Sequence, residues 1–113
     1  MGSIFNIVYN IIAKIMEDYT KLELNDGGWM PRVAFGTGST YIDREDEATE
    51  GIIKALKVGY RWIDTAAVYN TEISVRRALA KLKEDGICKR EDVFITSKVL
   101  PLYHKFQEVS SCF

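Results

Sequence analysis

Within the stretch GYRWIDTAAVYNTE, Gly59 to Glu72, an aspartate and a tyrosine interrupt residues that otherwise read as buried strand and small-residue loop. Tyr60, Trp62 and Asp64 share one face by the two-residue period of a strand, so a face carrying aromatic side chains also carries a carboxylate. A buried acid is costly unless paired. Lys98, at the end of EDVFITSK, shares a face with Phe94 and Thr96, and a neighbouring parallel strand would bring it beside Asp64. The chemistry available to such a pair depends on Tyr69. A free phenol has a pKa near 10, and an ammonium close by favours the phenolate. A carboxylate that holds the ammonium charged and oriented aims its field at the phenol. Tyr69 would then be a general acid able to protonate an oxygen as it becomes an alkoxide. On spacing alone, a structural ion pair beside a loop aromatic is the plainer reading, because structural networks also perturb ionisable groups.

The elements that must position these residues can be read on either side of them. TKLELNDGGWMP alternates Leu22 and Leu24 with charges ahead of Asn25-Asp26-Gly27-Gly28, a hairpin signal. RVAFGTG reads as a short strand ending in glycines. DREDEATEGIIKALKVG reads as a helix with acids in its first turn, lysines in its last, and Ile52, Ala55 and Leu56 on its inner stripe. YRWID is a second strand. After it, Asn70-Thr71 can cap a helix that buries Val75, Ala78, Leu79 and Leu82 and stops at Gly86. EDVFITSK is a third strand, and LPLYHKFQEVSSCF reads as a loop and the first turn of another helix. Strand and helix in strict alternation predict parallel βαβ units with both sheet faces covered. Asp64, Tyr69 and Lys98 then collect at the carboxyl ends of the strands, where such folds build their sites.

Composition narrows the function classes. The chain has 113 residues, 47% hydrophobic and 27% charged, with 15 Lys+Arg against 16 Asp+Glu and a formal net charge of −1. That is the balance of one globular domain at most, and with no basic block it argues against nucleic acid as a partner. Cys88 and Cys112 form neither a CxxC pair nor a ligand cluster, so they read as reduced thiols in a cytoplasmic protein, and no metal site is expected.

The first eighteen residues place Asn6, Asn10, Lys14 and Glu17/Asp18 along one side, with Ile4, Val8, Ile11, Ile12 and Ile15 around the rest. This predicts an amphipathic helix too often interrupted to span a bilayer, which takes about 20 apolar residues. No basic residue precedes the apolar part, as a secretory leader would require, and Asn6 stands where a myristoylation motif wants Ser or Thr.

GYRWIDTAAVYNTE resembles the signature of the aldo-keto reductases, in which Gly-Tyr-Arg, a variable and an apolar residue, and Asp-Thr-Ala lead to a tyrosine. MPRVAFGTGS is similar to the family's first strand and REDVFITSKV to its third, so the likeness runs from about Thr20 to the end. It implies residues 1–19 as an extension and residues 20–113 as the amino-terminal part of a (β/α)8 TIM barrel. It also implies NADPH as cofactor and an aldehyde or ketone as small-molecule substrate. By position, Tyr69 matches the proton donor, Lys98 the residue that makes the phenol a better acid, and Asp64 the lysine's partner. Gly36, Thr37 and Gly38 fall in the loop that approaches the nicotinamide, with Asp64 beside them, and Val68 and Leu100 fall where the carbonyl pocket is lined. Departures are Gly38 and Leu100, where many members carry an aromatic, and Arg76, where the signature has glycine.

A (β/α)8 barrel takes about 250 residues, so its fourth strand, which ends in the family's catalytic histidine, is expected beyond Phe113. His104 reads as a solvated loop histidine. These expectations make the 113-residue chain inactive and association-prone by itself. The alternatives are a short interaction module, using the amphipathic helix or open sheet edges for a protein partner, and a Rossmann-type binder. The last is disfavoured by Tyr41, which stands where GxGxxG needs its third glycine. With Lys14 its only basic side chain, the amphipathic segment is expected to prefer protein to anionic lipid. A peptide covering residues 1–18 should stay unbound in flotation with anionic vesicles, and strong binding would reverse that preference.

Overall fold

The computed structural model describes residues 2–100; the helical turn expected after Leu100, with His104 and Cys112, lies outside them. The described chain forms two compact units that meet in sequence at Val33 and Ala34.

The first unit is a helix and a hairpin. Helix α1 runs Gly2–Thr20, as the apolar spacing predicts, and its Ile4, Val8, Ile11, Ile12 and Ile15 side chains are exposed. No helix among the described residues is long and apolar enough to cross a membrane. Strands β1 (Lys21–Glu23) and β2 (Trp29–Pro31) pair antiparallel, with Leu22 opposite Met30. Their turn is closed by the Gly27 amide donating to the Leu24 carbonyl at 3.0 Å and the Leu24 amide donating to the Gly28 carbonyl at 2.7 Å. Gly27 takes φ +83°, which is why a glycine stands there.

The second unit is a three-stranded parallel sheet in the order β3 (Phe35–Gly36), β4 (Trp62–Asp64) and β5 (Phe94–Thr96), covered on one face by helices α2 (Glu45–Lys57) and α3 (Glu72–Glu84). The strands are shorter than the sequence suggests. Glu91 and Asp92, expected as the first residues of the third strand, instead turn with Arg90 as a 3-10 helix, the Asp92 carboxylate accepting from the Lys89 amide at 2.8 Å. Tyr60 falls outside β4 and stacks edge-on against Phe35, ring centroids 5.8 Å apart.

Alternation in β4 and β5 sorts side chains between two environments. Ile63 is fully buried under the helices with Ile52, Leu56, Val75, Ala78 and Leu82, and Phe35 and Ile95 pack onto that cluster. Trp62 and Asp64 point to the other face, where Trp62 meets Phe94 edge-on at 5.9 Å. Cys88 is a buried free thiol at the core's edge.

The two helices are clasped at their starts. Arg77 of α3 donates to Glu45 at 2.6 Å and to Asp46 at 2.9 Å in the acidic first turn of α2, and Ser74 donates to the Glu45 carbonyl at 2.9 Å. Arg61 closes the other end of α2 by donating to the Leu56 carbonyl at 2.7 Å. Gly51 stands mid-helix because the Tyr41 ring lies over it; a Cβ there would come within 2.6 Å of the Tyr41 hydroxyl. Leu82 is central to the core and fully buried, so Leu82→Ala is expected to cost about 2–5 kcal/mol in urea unfolding, the range for a buried leucine that leaves a cavity.

Candidate active site at the strand ends

The register of β4 and β5 sets Asp64 directly opposite Thr96, each the last residue of its strand. Thr96 Oγ1 donates to Asp64 Oδ1 at 2.6 Å and accepts from the Trp62 indole N–H at 3.1 Å, so the half-buried carboxylate is held from its own face of the sheet. Lys98 lies two residues farther on that face and reaches back. Its Nζ donates to Asp64 Oδ1 and Oδ2, both at 3.1 Å, and to the Thr65 carbonyl at 2.9 Å. These contacts occupy the three protons of the ammonium.

Tyr69 ends a 3-10 turn, Ala67–Tyr69, that follows β4. The turn returns its phenol over the strand ends: Lys98 Nζ stands 5.2 Å from the ring centroid, a cation–π distance. The ammonium therefore acts on the phenol through its field at the ring face, while its hydrogen bonds go to Asp64 and Thr65. The ring also rests on Gly38, where a Cβ would lie 2.6 Å from Tyr69 Cζ and 2.9 Å from its hydroxyl oxygen. The backbone below is pinned by two left-handed residues, Asn70 at φ 56° and Asp43 at φ 58°, joined by a 2.5 Å bond from Asn70 Nδ2 to Asp43 Oδ1. The Asp43 amide also donates to the Tyr69 carbonyl at 3.3 Å.

Burial raises the Asp64 carboxyl, but the Thr96 hydrogen bond, the Lys98 hydrogen bonds and the Lys98 charge outweigh it, and the group sits below the ordinary aspartate value of 3.8. The pair remains wet, with side-chain exposures of 34% for Asp64 and 50% for Lys98, so it orients more than it stabilises.

The remaining residues singled out from the sequence lie around this cluster. Gly36 pairs in register with Asp64, and the space above it is open, with nothing within 4 Å of a Cβ placed there. Thr37 is fully buried; its amide and its hydroxyl both donate to the Asp64 carbonyl at 3.0 Å. Val68 is exposed on the 3-10 turn, and Leu100 is half-buried two residues past Lys98. Among the described residues no group of His, Cys, Asp and Glu could hold a metal ion.

Four contributors escaped the sequence reading: Thr96, the Thr65 carbonyl, the Trp62 indole and Thr71. Thr96 was findable, since the two-residue period already sets it on the face of Lys98 and closer to Asp64. Thr71 occupies the N-cap position of α3, where the sequence predicts a cap, yet its side chain makes no capping bond.

The chain has counterparts among known proteins. An aldo-keto reductase of Bombyx mori is 41% identical over 81 residues, 69% of this chain and 26% of that protein. Rat 3-alpha-hydroxysteroid dehydrogenase is 38% identical over 92 residues, covering 81% and 29%. The chain spans about a quarter of the length of the curated relatives it matches. Among solved structures, the Bombyx mori reductase in complex with NADP superposes with a TM-score of 0.70 at 34% identity, over 79% of this chain and 30% of that one. An aldo/keto reductase from Brucella melitensis also gives 0.70, at 32% identity, over 82% and 34%. The profile of the aldo/keto reductase family matches residues 32–112. That match takes in β3, β4, β5 and both helices behind the Asp64, Lys98 and Tyr69 cluster, and the chain belongs to the aldo/keto reductase family.

Proposed function

We propose that this chain supplies the proton-donating side of an NADPH-dependent carbonyl reductase built as a (β/α)8 barrel, with an aldehyde or ketone as substrate. The observation that carries the reading is the Lys98 ammonium, fixed by Asp64 and Thr65, standing over the ring of Tyr69 at the carboxyl ends of a parallel sheet. Tyr69 gives its hydroxyl proton to the carbonyl oxygen as that oxygen gains charge, and the charge left on the phenol faces Lys98. Asp64 keeps the ammonium in place through the step. Val68 and Leu100 flank the carbonyl.

The residues present fit the nicotinamide end of the cofactor. The open space above Gly36 admits a flat ring against the backbone, and Gly36 and Gly38 would line it, with Thr37 fixing that backbone from beneath because its amide and hydroxyl are both spent on the Asp64 carbonyl; Asp64 lies at the same level of the sheet. When bound, NADPH supplies the hydride that adds to the carbonyl carbon, and with the proton from Tyr69 this gives the alcohol. Two cysteines with no CxxC pair and no disulfide framework suit a reducing compartment, and the cytoplasm is proposed as the place of the reaction. A second reading, a non-catalytic interaction module, draws on the exposed Ile4, Phe5 and Ile7 of α1 as a surface for a protein partner.

In the complete reductase, Tyr69→Phe should lower kcat by more than about tenfold, or 1.4 kcal/mol, with NADPH affinity nearly unchanged, and Lys98→Met should do comparable damage. Steady-state kinetics with an aromatic aldehyde checks both; a Tyr69→Phe enzyme above a tenth of the parental kcat would remove the phenol from the mechanism.

The Asp64 and Lys98 pair also sets a pH dependence. Because the folded-state Asp64 value is depressed, the pair's contribution is complete above the unfolded value, about 3.9, and is lost as pH falls through the folded one. Urea midpoints should therefore decline below about pH 4, and Asp64→Asn should remove part of that decline, by less than about 1 kcal/mol for so exposed a pair. An unchanged acid limb in the variant would show that Asp64 is not the titrating group.

A further inference from the structure

Beneath the ion pair runs a chain of buried hydroxyls whose direction can be worked out. Thr37 Oγ1 donates its proton to the Asp64 carbonyl at 3.0 Å. It lies 2.8 Å from Thr71 Oγ1, which lies 2.9 Å from Thr65 Oγ1, and all three threonines are essentially excluded from solvent. A threonine hydroxyl carries one proton. With the proton of Thr37 committed to Asp64, Thr71 must donate to Thr37, and with that of Thr71 so used, Thr65 must donate to Thr71. The chain therefore runs Thr65 to Thr71 to Thr37 to the Asp64 carbonyl, and it closes on the residue next to its start.

That loop encloses the peptide on which the site hangs. Asp64 and Thr65 are consecutive, and they present every hydrogen-bond acceptor of the Lys98 ammonium: two carboxylate oxygens from one, the carbonyl from the next. The Thr65 amide is tied to the Thr96 carbonyl at 2.8 Å on the other side. Thr71 is the member that reaches in from outside the sheet. As the N-cap residue of α3 its hydroxyl would ordinarily accept from the helix's own first amides, and here it makes no such bond. A side chain that gives up its local partner to join Thr37, 34 residues away, is held there by the strand ends.

We propose that Thr71 is a positioning residue, its hydroxyl relaying between Thr65 and Thr37 to fix the Asp64–Thr65 peptide and, through it, Lys98 over Tyr69. The assignment rests on the reductase reading of the same site. It predicts a specific kinetic pattern. Loss of the relay frees the Thr65 side and lets Lys98 wander, while the Thr37 amide and hydroxyl keep their own bonds to the Asp64 carbonyl and so hold the backbone offered to the cofactor, so the transition state is affected more than ground-state binding.

The test compares Thr71→Val, which keeps the shape and removes the hydroxyl, with Thr71→Ser, which restores it. In the complete reductase Thr71→Val should lower kcat by about tenfold with KM for NADPH within about twofold, and Thr71→Ser should recover most of the loss. Parental kcat in Thr71→Val, or a serine variant as slow as the valine one, would overturn the proposal. A readout without turnover accompanies it: in the complete reductase, unsubstituted and free of substrate, NMR should find slowly exchanging hydroxyl protons on Thr37, Thr65 and Thr71. Rapid exchange at all three would overturn the relay even if the valine variant did not fold. Because that arm needs no substrate, failure of the reductase reading, seen as absent Tyr69-dependent turnover, is distinguishable from failure of the relay.

Discussion

A lysine ammonium has three protons to place, and at the strand ends of this chain all three go to acceptors on two consecutive residues, Asp64 and Thr65. Most of the second unit can be read as what is needed to keep those acceptors still. The carboxylate is braced by Thr96 from the neighbouring strand, the peptide behind it by Thr37 and the Thr96 carbonyl, and the phenol above the ammonium by Gly38 and the Asn70 to Asp43 bond. None of these contacts is strong by itself, and the ion pair is half in water. Their value is geometric: each removes a freedom that would let the charge drift from the ring.

The core makes that geometry possible by fixing register. Ile63 lies between Phe35 and Ile95 in the pairing of the three strands, buried under α2 and α3. Because side chains alternate, seating Ile63 in the core commits Trp62 and Asp64 to the opposite face, and a slip of one residue would send the carboxylate under the helices. The position of the acid is thus decided by an isoleucine whose side chain lies on the opposite face of the sheet.

Much of this was legible in the sequence, for identifiable reasons. The two-residue period around Trp62 and Phe94 is strong, the strand and helix alternation unambiguous, and the demand of Asp64 for a cation could be met by one lysine on the matching face. Thr96 aside, what escaped were contacts that leave no periodic trace. A threonine at an N-cap position is expected to serve its own helix, and nothing near Thr71 signals a partner in β3's following residue or in Thr65. The strands also came out shorter than their apolar runs, because Arg90–Asp92 found a local turn closed by Asp92, and the 3-10 turn at Ala67–Tyr69 took residues that small side chains alone left undetermined.

The uncapped start of α3 bears on how the chain reaches this structure. A capping hydroxyl makes a contact within three or four residues and can form as soon as the first turn does. Thr71 instead bonds across 34 residues of chain, a contact that carries the full entropy of closing that loop and forms only once β3 and β4 have converged. The first turn of α3 is closed locally by the Val75 amide donating to the Thr71 carbonyl at 3.1 Å, but its capping hydroxyl must wait for the strands. At the end of the helix nearest the chemistry, the capping side chain serves the strands rather than its own helix.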